Sequence, residues 1–314
     1  MKAPKRILCA TLCVVLTAAA LCAGSLTAFA DTFFTEGDFR FAVMSGNVLA
    51  VAAYNGDSTD VTLPESVGGR AVTGVYKNSF QNTAVQSVTI PEGYTFIGSF
   101  AFSDCQSLTA VALPDSLQTV GIMAFSGCTS LQSIDLSGEN LSTVSFAAFN
   151  GCQSLAEVGF GDNLDTLGEN AFANCVSLQS LTLPTALTAI PEYAFYNCPL
   201  MDVYVPETVT FIGENAFAPA NAIVAFEGTA AAEYAADSGA DNVRILRKIM
   251  GDVNFDGVVN VNDVTELQRI AAELRPVYAW EKIVADVNGS KDVSIDDATL
   301  IQQFLAEYDV AFVS

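Results

Sequence analysis

Oxygen-bearing side chains near the C-terminus recur at fixed intervals. In Gly251-Asp-Val-Asn-Phe-Asp-Gly-Val-Val-Asn-Val-Asn-Asp263 they occupy positions 1, 3, 5, 9 and 12 of a loop beginning at Asp252: Asp252, Asn254, Asp256, Asn260 and Asp263. Such alternation aims every second side chain at one centre, while Gly257 at position 6 permits the sharp bend and the Val258 carbonyl at position 7 adds an oxygen. Calcium, which takes about six to eight oxygen ligands, suits that donor set. Thirty-four residues on, Asp286-Val-Asn-Gly-Ser-Lys-Asp-Val-Ser-Ile-Asp-Asp297 repeats the register with Asp286, Asn288, Ser290, Ser294, Asp297 and the carbonyl of Asp292. One such loop could be a solvated acidic turn; two in matching register argue for two ions. Ser290 stands where the first loop has an acid, and Lys291 where it has Gly, at a position expected to need φ > 0. With two side-chain carboxylates against three, the second loop is expected to bind more weakly.

Elements must hold these loops in place. Val264, Leu267, Ile270 and Ala271 after the first loop, and Ala298, Ile301, Phe304 and Leu305 after the second, lie at helical spacing. Residues 251–314 are therefore read as a small all-α module. It resembles a type I dockerin over residues 251 to about 310, and its loops end in Asp263 and Asp297 rather than the Glu of a helix-loop-helix calcium sensor. The resemblance implies Ca2+ as the bound ion and a cohesin domain on a scaffold protein as partner, within a cellulosome-type complex that degrades polysaccharide. It also implies that positions 10, 11, 17 and 18 of each copy select the cohesin. These are Val261, Asn262, Gln268 and Arg269, then Ile295, Asp296, Gln302 and Gln303. The apolar residue at position 10 recurs but the charges differ, which argues against binding in two equivalent orientations.

A different period governs the chain upstream. Cys105, Cys128, Cys152, Cys175 and Cys198 are spaced 23, 24, 23 and 23 residues apart, each three residues after the Phe of an Ala-Phe pair. With Ser79-Phe80 and Ala216-Phe217 at the ends, seven units of 22 to 24 residues result. Within one unit Leu108, Val111 and Leu113 precede Pro114, then come Leu117, Val120, Ala124, Phe125 and Cys128, a short strand and turn that cannot bury an apolar side alone. Stacking neighbours closes the core and sets Phe and Cys in vertical ladders. The cysteines are read as buried thiols, with disulfides between adjacent turns as the alternative. These residues resemble the leucine-rich repeats of bacterial surface antigens over about 69–243, which implies an α/β repeat solenoid. Ser137 and Gly161 replace the Pro in two units. Residues 31–68, with Phe39, Phe41, Val43 and a Tyr54-Asn55-Gly56-Asp57 turn, read as an amino-terminal cap, 69–222 as the solenoid, and 223–250 as a carboxy-terminal cap and short linker. No Pro/Thr or Gly/Ser spacer separates Met250 from Asp252, so the two parts are expected to touch.

Composition narrows the function classes. The 314-residue chain has a formal charge of −22 and no histidine, which removes His-dependent nucleophiles and His-ligated zinc. Such acidity argues against nucleic acid and anionic membranes as partners. Lys2, Lys5 and Arg6, the apolar run Ile7 to Ala20 and Ala28-Phe29-Ala30 read as a signal peptide over 1–30. Its removal takes three cysteines and leaves 10 basic against 35 acidic residues, a net charge of −25. The expected location is extracellular, at the cell surface where the scaffold is anchored, without membrane insertion.

The solenoid's outward strand positions, Thr89, Ala112, Asp135, Gly159 and Thr182, are small or polar, with Tyr204 last. Phe96, Phe100, Ile122, Met123 and Phe146, near the Ala-Phe turns, form a candidate partner surface, buried rings being the alternative. The reading is a non-catalytic secreted binding or adhesion protein whose solenoid takes an unidentified ligand, expected to be a protein. A scaffold-borne glycoside hydrolase, needing a carboxylate pair in a cleft, and an inhibitor or regulator of a partner enzyme stay open as alternatives.

Overall fold

The structure is a computed structural model, describing residues 32–201, 203–218, 223–237, 243–308 and 310–313. The expected signal peptide, with Cys9, Cys13 and Cys22, lies outside the described residues. Thr32–Glu36 and Phe39–Val43 form an antiparallel hairpin, and Leu49–Tyr54 extends it before pairing in parallel with Arg70–Val75. The hairpin thus covers the strand edge that the first repeat would leave open.

Each repeat then contributes short strands to the sides of a solenoid. Phe96–Ile97, Thr119–Val120, Thr143–Val144 and Thr166–Leu167 continue the first sheet in parallel. On another side Asp60–Thr62, Ser87–Thr89 and Ala110–Ala112 pair in parallel, as do Ser133–Leu136 and Glu157–Phe160. A side made of the Ala-Phe segments has tight turns where an α/β repeat would carry a helix. Units of this length close through residues with positive φ on both sides of the pair, such as Phe100 and Asp104, or Asn170 and Asn174. Asn tolerates that conformation, whereas Phe100, Met123 and Tyr193 adopt it at a cost. Backbone bonds join successive turns, Phe102 N donating to Ala124 O at 2.7 Å and Phe125 N to Ala148 O at 2.7 Å.

Stacked rings fill the interior. Phe102, Phe125, Phe149 and Phe172 stack at 5.1, 5.1 and 5.0 Å between centroids with planes within 6°. Tyr54 closes this ladder at one end, against Phe80, and Tyr234 at the other, against Phe217. Beside it all five described cysteines are free and buried, and each thiol donates to a Phe carbonyl of the preceding unit, as Cys128 Sγ does to Phe102 O at 3.0 Å. The ladder position is therefore a packing position, and the disulfide alternative is not adopted. Glycines such as Gly121 and Gly168 mark where turns nearly touch: a β-carbon on Gly121 would stand 2.6 Å from Ile97 O, and one on Gly168 would collide with Phe146 N.

The units without Pro keep the turn. Leu164 N donates to Gly161 O at 3.3 Å as Leu117 N does to Pro114 O at 3.1 Å, and in the unit with Ser137 the bond moves on to Gly138. That shift absorbs the extra residue of the 24-residue spacing.

After the last repeat, Ile223–Phe226 lies in parallel between Val203–Tyr204 and Val243–Leu246, with helix α1 (Ala230–Asp237) crossing from one to the other. Three helices follow: α2 (Val261–Ala271), α3 (Ala279–Ala285) and α4 (Ile295–Leu305). Val264, Leu267, Ile270, Ala298 and Ile301 form their shared core as the spacing predicts, but Phe304 and Leu305 are exposed. Helix α3, which the sequence pattern does not reveal, sets Trp280 and Val284 against Val224, Phe226 and Leu246 of the solenoid cap. The expected contact between the two parts is thus made by buried apolar side chains.

Candidate functional site

The two acidic loops fold in the same register. In the first, Asp252 is buried and accepts from Asp256 N at 3.1 Å and Gly257 N at 2.9 Å. Asp263, also buried, accepts from Asn254 N at 3.1 Å and Asn260 N at 2.8 Å, so one carboxylate closes the loop and caps α2. In the second, Asp286 accepts from Ser290 N at 2.9 Å and Lys291 N at 2.8 Å, and Asp297 from Asn288 N at 3.2 Å and Ser294 N at 2.9 Å. Positions 1 and 12 therefore do the same work in both copies.

Positions 4 and 6 are left-handed in both loops, and each loop has glycine at one of them. The first has Phe255 at φ 58° and Gly257 at 90°; the second has Gly289 at 72° and Lys291 at 75°. The positive φ expected at Lys291 is present. Phe255 is strained at a position with no glycine to relieve it, and its ring lies 6.4 Å from that of Phe226 in the solenoid cap.

A cation fits the donor set. Burial, together with Asp263 and Asp256 nearby, raises the Asp252 carboxyl above its ordinary range, while the N–H groups of Gly257 and Asp256 act against that. A divalent ion would remove the repulsion. Among the described residues no three acidic or thiol groups converge to hold a metal by themselves, so amide and carbonyl oxygens must complete any shell. Asn254, Asn260 and the Val258 carbonyl, or Asn288, Ser290, Ser294 and the Asp292 carbonyl, are the oxygens available. These are hard ligands of the kind calcium prefers.

The eight expected recognition residues are exposed on α2 and α4. Val261 is 67% and Ile295 55% exposed, high values for apolar side chains at matching helix starts. Asn262, Gln268 and Arg269 accompany Val261, and Asp296, Gln302 and Gln303 accompany Ile295. Arg269 also pairs with Glu266 at 3.0 Å. Arg275, unremarked in the sequence, bridges Glu266 and Glu281 at 2.9 Å each and ties α2 to α3. None of the five solenoid candidates is buried: Ile122 and Phe146 are exposed, and Phe96, Phe100 and Met123 are half-buried. Phe96 lays its ring over Gly74, and Phe100 N donates to Ile122 O at 2.8 Å.

The architecture is that of a repeat solenoid carrying a metal-loop module. A family profile, the BspA type Leucine rich repeat region, matches six copies over residues 73–198 and 107–224, and another, the Dockerin type I domain, matches residues 250–306. The chain thus carries leucine-rich repeats of the BspA type and a C-terminal dockerin type I domain. A dockerin of this type is a calcium-binding module whose partner is a cohesin, and neither matched region is a catalytic domain. The chain is similar to a leucine rich cell surface protein from Faecalibacterium prausnitzii, with 29% identity over 63% of this chain and 56% of that one, at a TM-score of 0.58. It therefore spans little more than half of that relative's length. A leucine-rich repeat protein from T. pallidum shares the fold at 22% identity, over 65% of this chain and 95% of that one, with a TM-score of 0.50. No curated protein sequence matches. Among the described residues no helix is long and apolar enough to cross a membrane.

Proposed function

We propose that this is a non-catalytic, secreted binding or adhesion protein whose dockerin attaches it, in calcium, to a cohesin on a cellulosome-type scaffold that degrades polysaccharide. The observation that carries this reading is the duplicated loop register ahead of two helices that expose Val261 and Ile295 at the same position. Asp252, Asn254, Asp256, Val258, Asn260 and Asp263 hold one calcium ion; Asp286, Asn288, Ser290, Asp292, Ser294 and Asp297 hold a second, more weakly. The organisation is 1–30 signal peptide, 31–68 cap, 69–222 solenoid, 223–250 cap and linker, and 251–314 dockerin. The solenoid is the cargo, and Phe96, Phe100, Ile122, Met123 and Phe146 form its surface for a protein partner. Titrating the chain with a cohesin panel, in calcium and then in chelator, tests the attachment; a pull-down with the solenoid from the native secretome tests the cargo.

A further inference from the structure

The solenoid's strand face carries small and polar side chains, and the structure brings an aromatic surface to it from the other module. Between that face, around Glu157–Phe160, and the start of α3 lies a cleft of about 860 Å3. On the helical side Tyr278 stacks on Trp280, centroids 4.6 Å apart and planes 5° apart. Trp280 is buried against the cap while Tyr278 is 49% exposed, so one ring supports and the other is presented. Opposite are Glu157, Gln179, Ser180 and Thr182, all exposed, with Tyr204 beside them. Strand pairing lapses here: Glu157–Phe160 pairs with Ser133–Leu136 and Val203–Tyr204 with Ile223–Phe226, but residues 180–182 form a strand with neither.

A flat ring beside a carboxylate, an amide and two hydroxyls suits a ligand with one apolar face and a polar rim. A pyranose has that shape, with C–H groups on its face and hydroxyls around its edge. Among the described residues that line the cleft Glu157 is the single charged side chain, so anionic sugars are disfavoured in a chain of charge −22. Glycosidic hydrolysis uses two carboxylates about 5 to 9.5 Å apart, and the described lining residues offer one. We propose that this cleft binds a neutral pyranose oligosaccharide, held on Tyr278 by stacking and by Glu157, Gln179, Ser180 and Thr182 through hydrogen bonds.

The test is calorimetry of the full chain in calcium with neutral gluco-, xylo- and manno-hexasaccharides, and with a library of extended peptides. Saturable binding of at least one hexasaccharide is expected, weakened about tenfold or more by Tyr278→Ala and retained in Tyr278→Phe, which keeps the ring. An unchanged melting temperature and unchanged calcium binding of Tyr278→Ala show that the loss is local. No binding of any hexasaccharide, equal binding by Tyr278→Ala, or binding of peptides alone overturns the proposal. None of these outcomes depends on whether the dockerin finds a cohesin.

Discussion

Phe312 rests its ring on Gly251: a β-carbon built there would stand 3.0 Å from the ring. Val313 makes the matching approach to Gly289, also at 3.0 Å, and its N–H donates to Val287 O at 2.9 Å. One short C-terminal segment thus covers residues of both loops, and Phe304 packs on Phe312 with centroids 4.7 Å apart. Replacing Phe312 by Ala should destabilise the helical module by about 2 kcal/mol, since the ring is partly buried, and weaken calcium binding. Melting followed by circular dichroism, with and without calcium, checks this; an unchanged transition contradicts it.

Calcium binding should resolve into two unequal steps. Lys291 holds φ 75° where the first loop has Gly257, a conformation that costs a non-Gly residue about 1–2 kcal/mol, and it places a cation beside the second site. Lys291→Gly is expected to tighten the weaker step about tenfold or less and leave the stronger one alone. Two equal tight steps in the native chain would contradict the assignment.

Thiol chemistry gives a pH signature. Burial pushes the Cys152 thiol from its ordinary 9.0 up to about 12 and raises Cys105 and Cys128 as well. A raised folded-state pKa means that the unfolded chain loses protons first, so the stability these thiols contribute is present below pH 9.0 and is lost as pH rises towards about 12. Denaturant titrations in this window should show stability falling by up to about 1.4 kcal/mol per pH unit for each fully buried thiol, less steeply in Cys152→Ala. The native protein should resist thiol reagents at neutral pH, and all five described cysteines should react once it unfolds.

Trp280 should couple the two parts of the chain. It lies buried with Val224, Phe226 and Leu246, so Trp280→Ala is expected to cost about 3 kcal/mol and to make the helical module melt apart from the solenoid. Calorimetry that shows the same number of transitions in both proteins would contradict a coupling through this contact.

Much of this fold is legible in the residues because its periods are short and repeated. The Ala-Phe-x-x-Cys spacing is one residue ladder written seven times with variations, and the loop registers at Asp252 and Asp286 are written twice. What depends on a single contact between distant segments is not legible. Nothing in Ala279-Trp-Glu-Lys-Ile-Val-Ala285 announces a helix that docks on the cap, because its partners Val224 and Phe226 lie more than fifty residues upstream. The Phe312 clasp on Gly251 is illegible for the same reason, whereas the Arg275 bridge joins near neighbours in sequence, Glu266 and Glu281, but leaves no periodic pattern. The tight turns that replace helices leave a local signal, in the Asn and Gly residues flanking most of the Ala-Phe pairs, but Phe100, Asp104, Met123, Ala147 and Tyr193 break that pattern.

The most direct measurement is isothermal titration of the full chain with a panel of cohesins, in calcium and again after chelation. The account predicts that at least one cohesin binds in calcium, that chelation abolishes binding, and that Val261→Asp with Ile295→Asp abolishes it while both calcium steps remain. No binding to any cohesin with calcium present, or binding indifferent to calcium and to both substitutions, would contradict it.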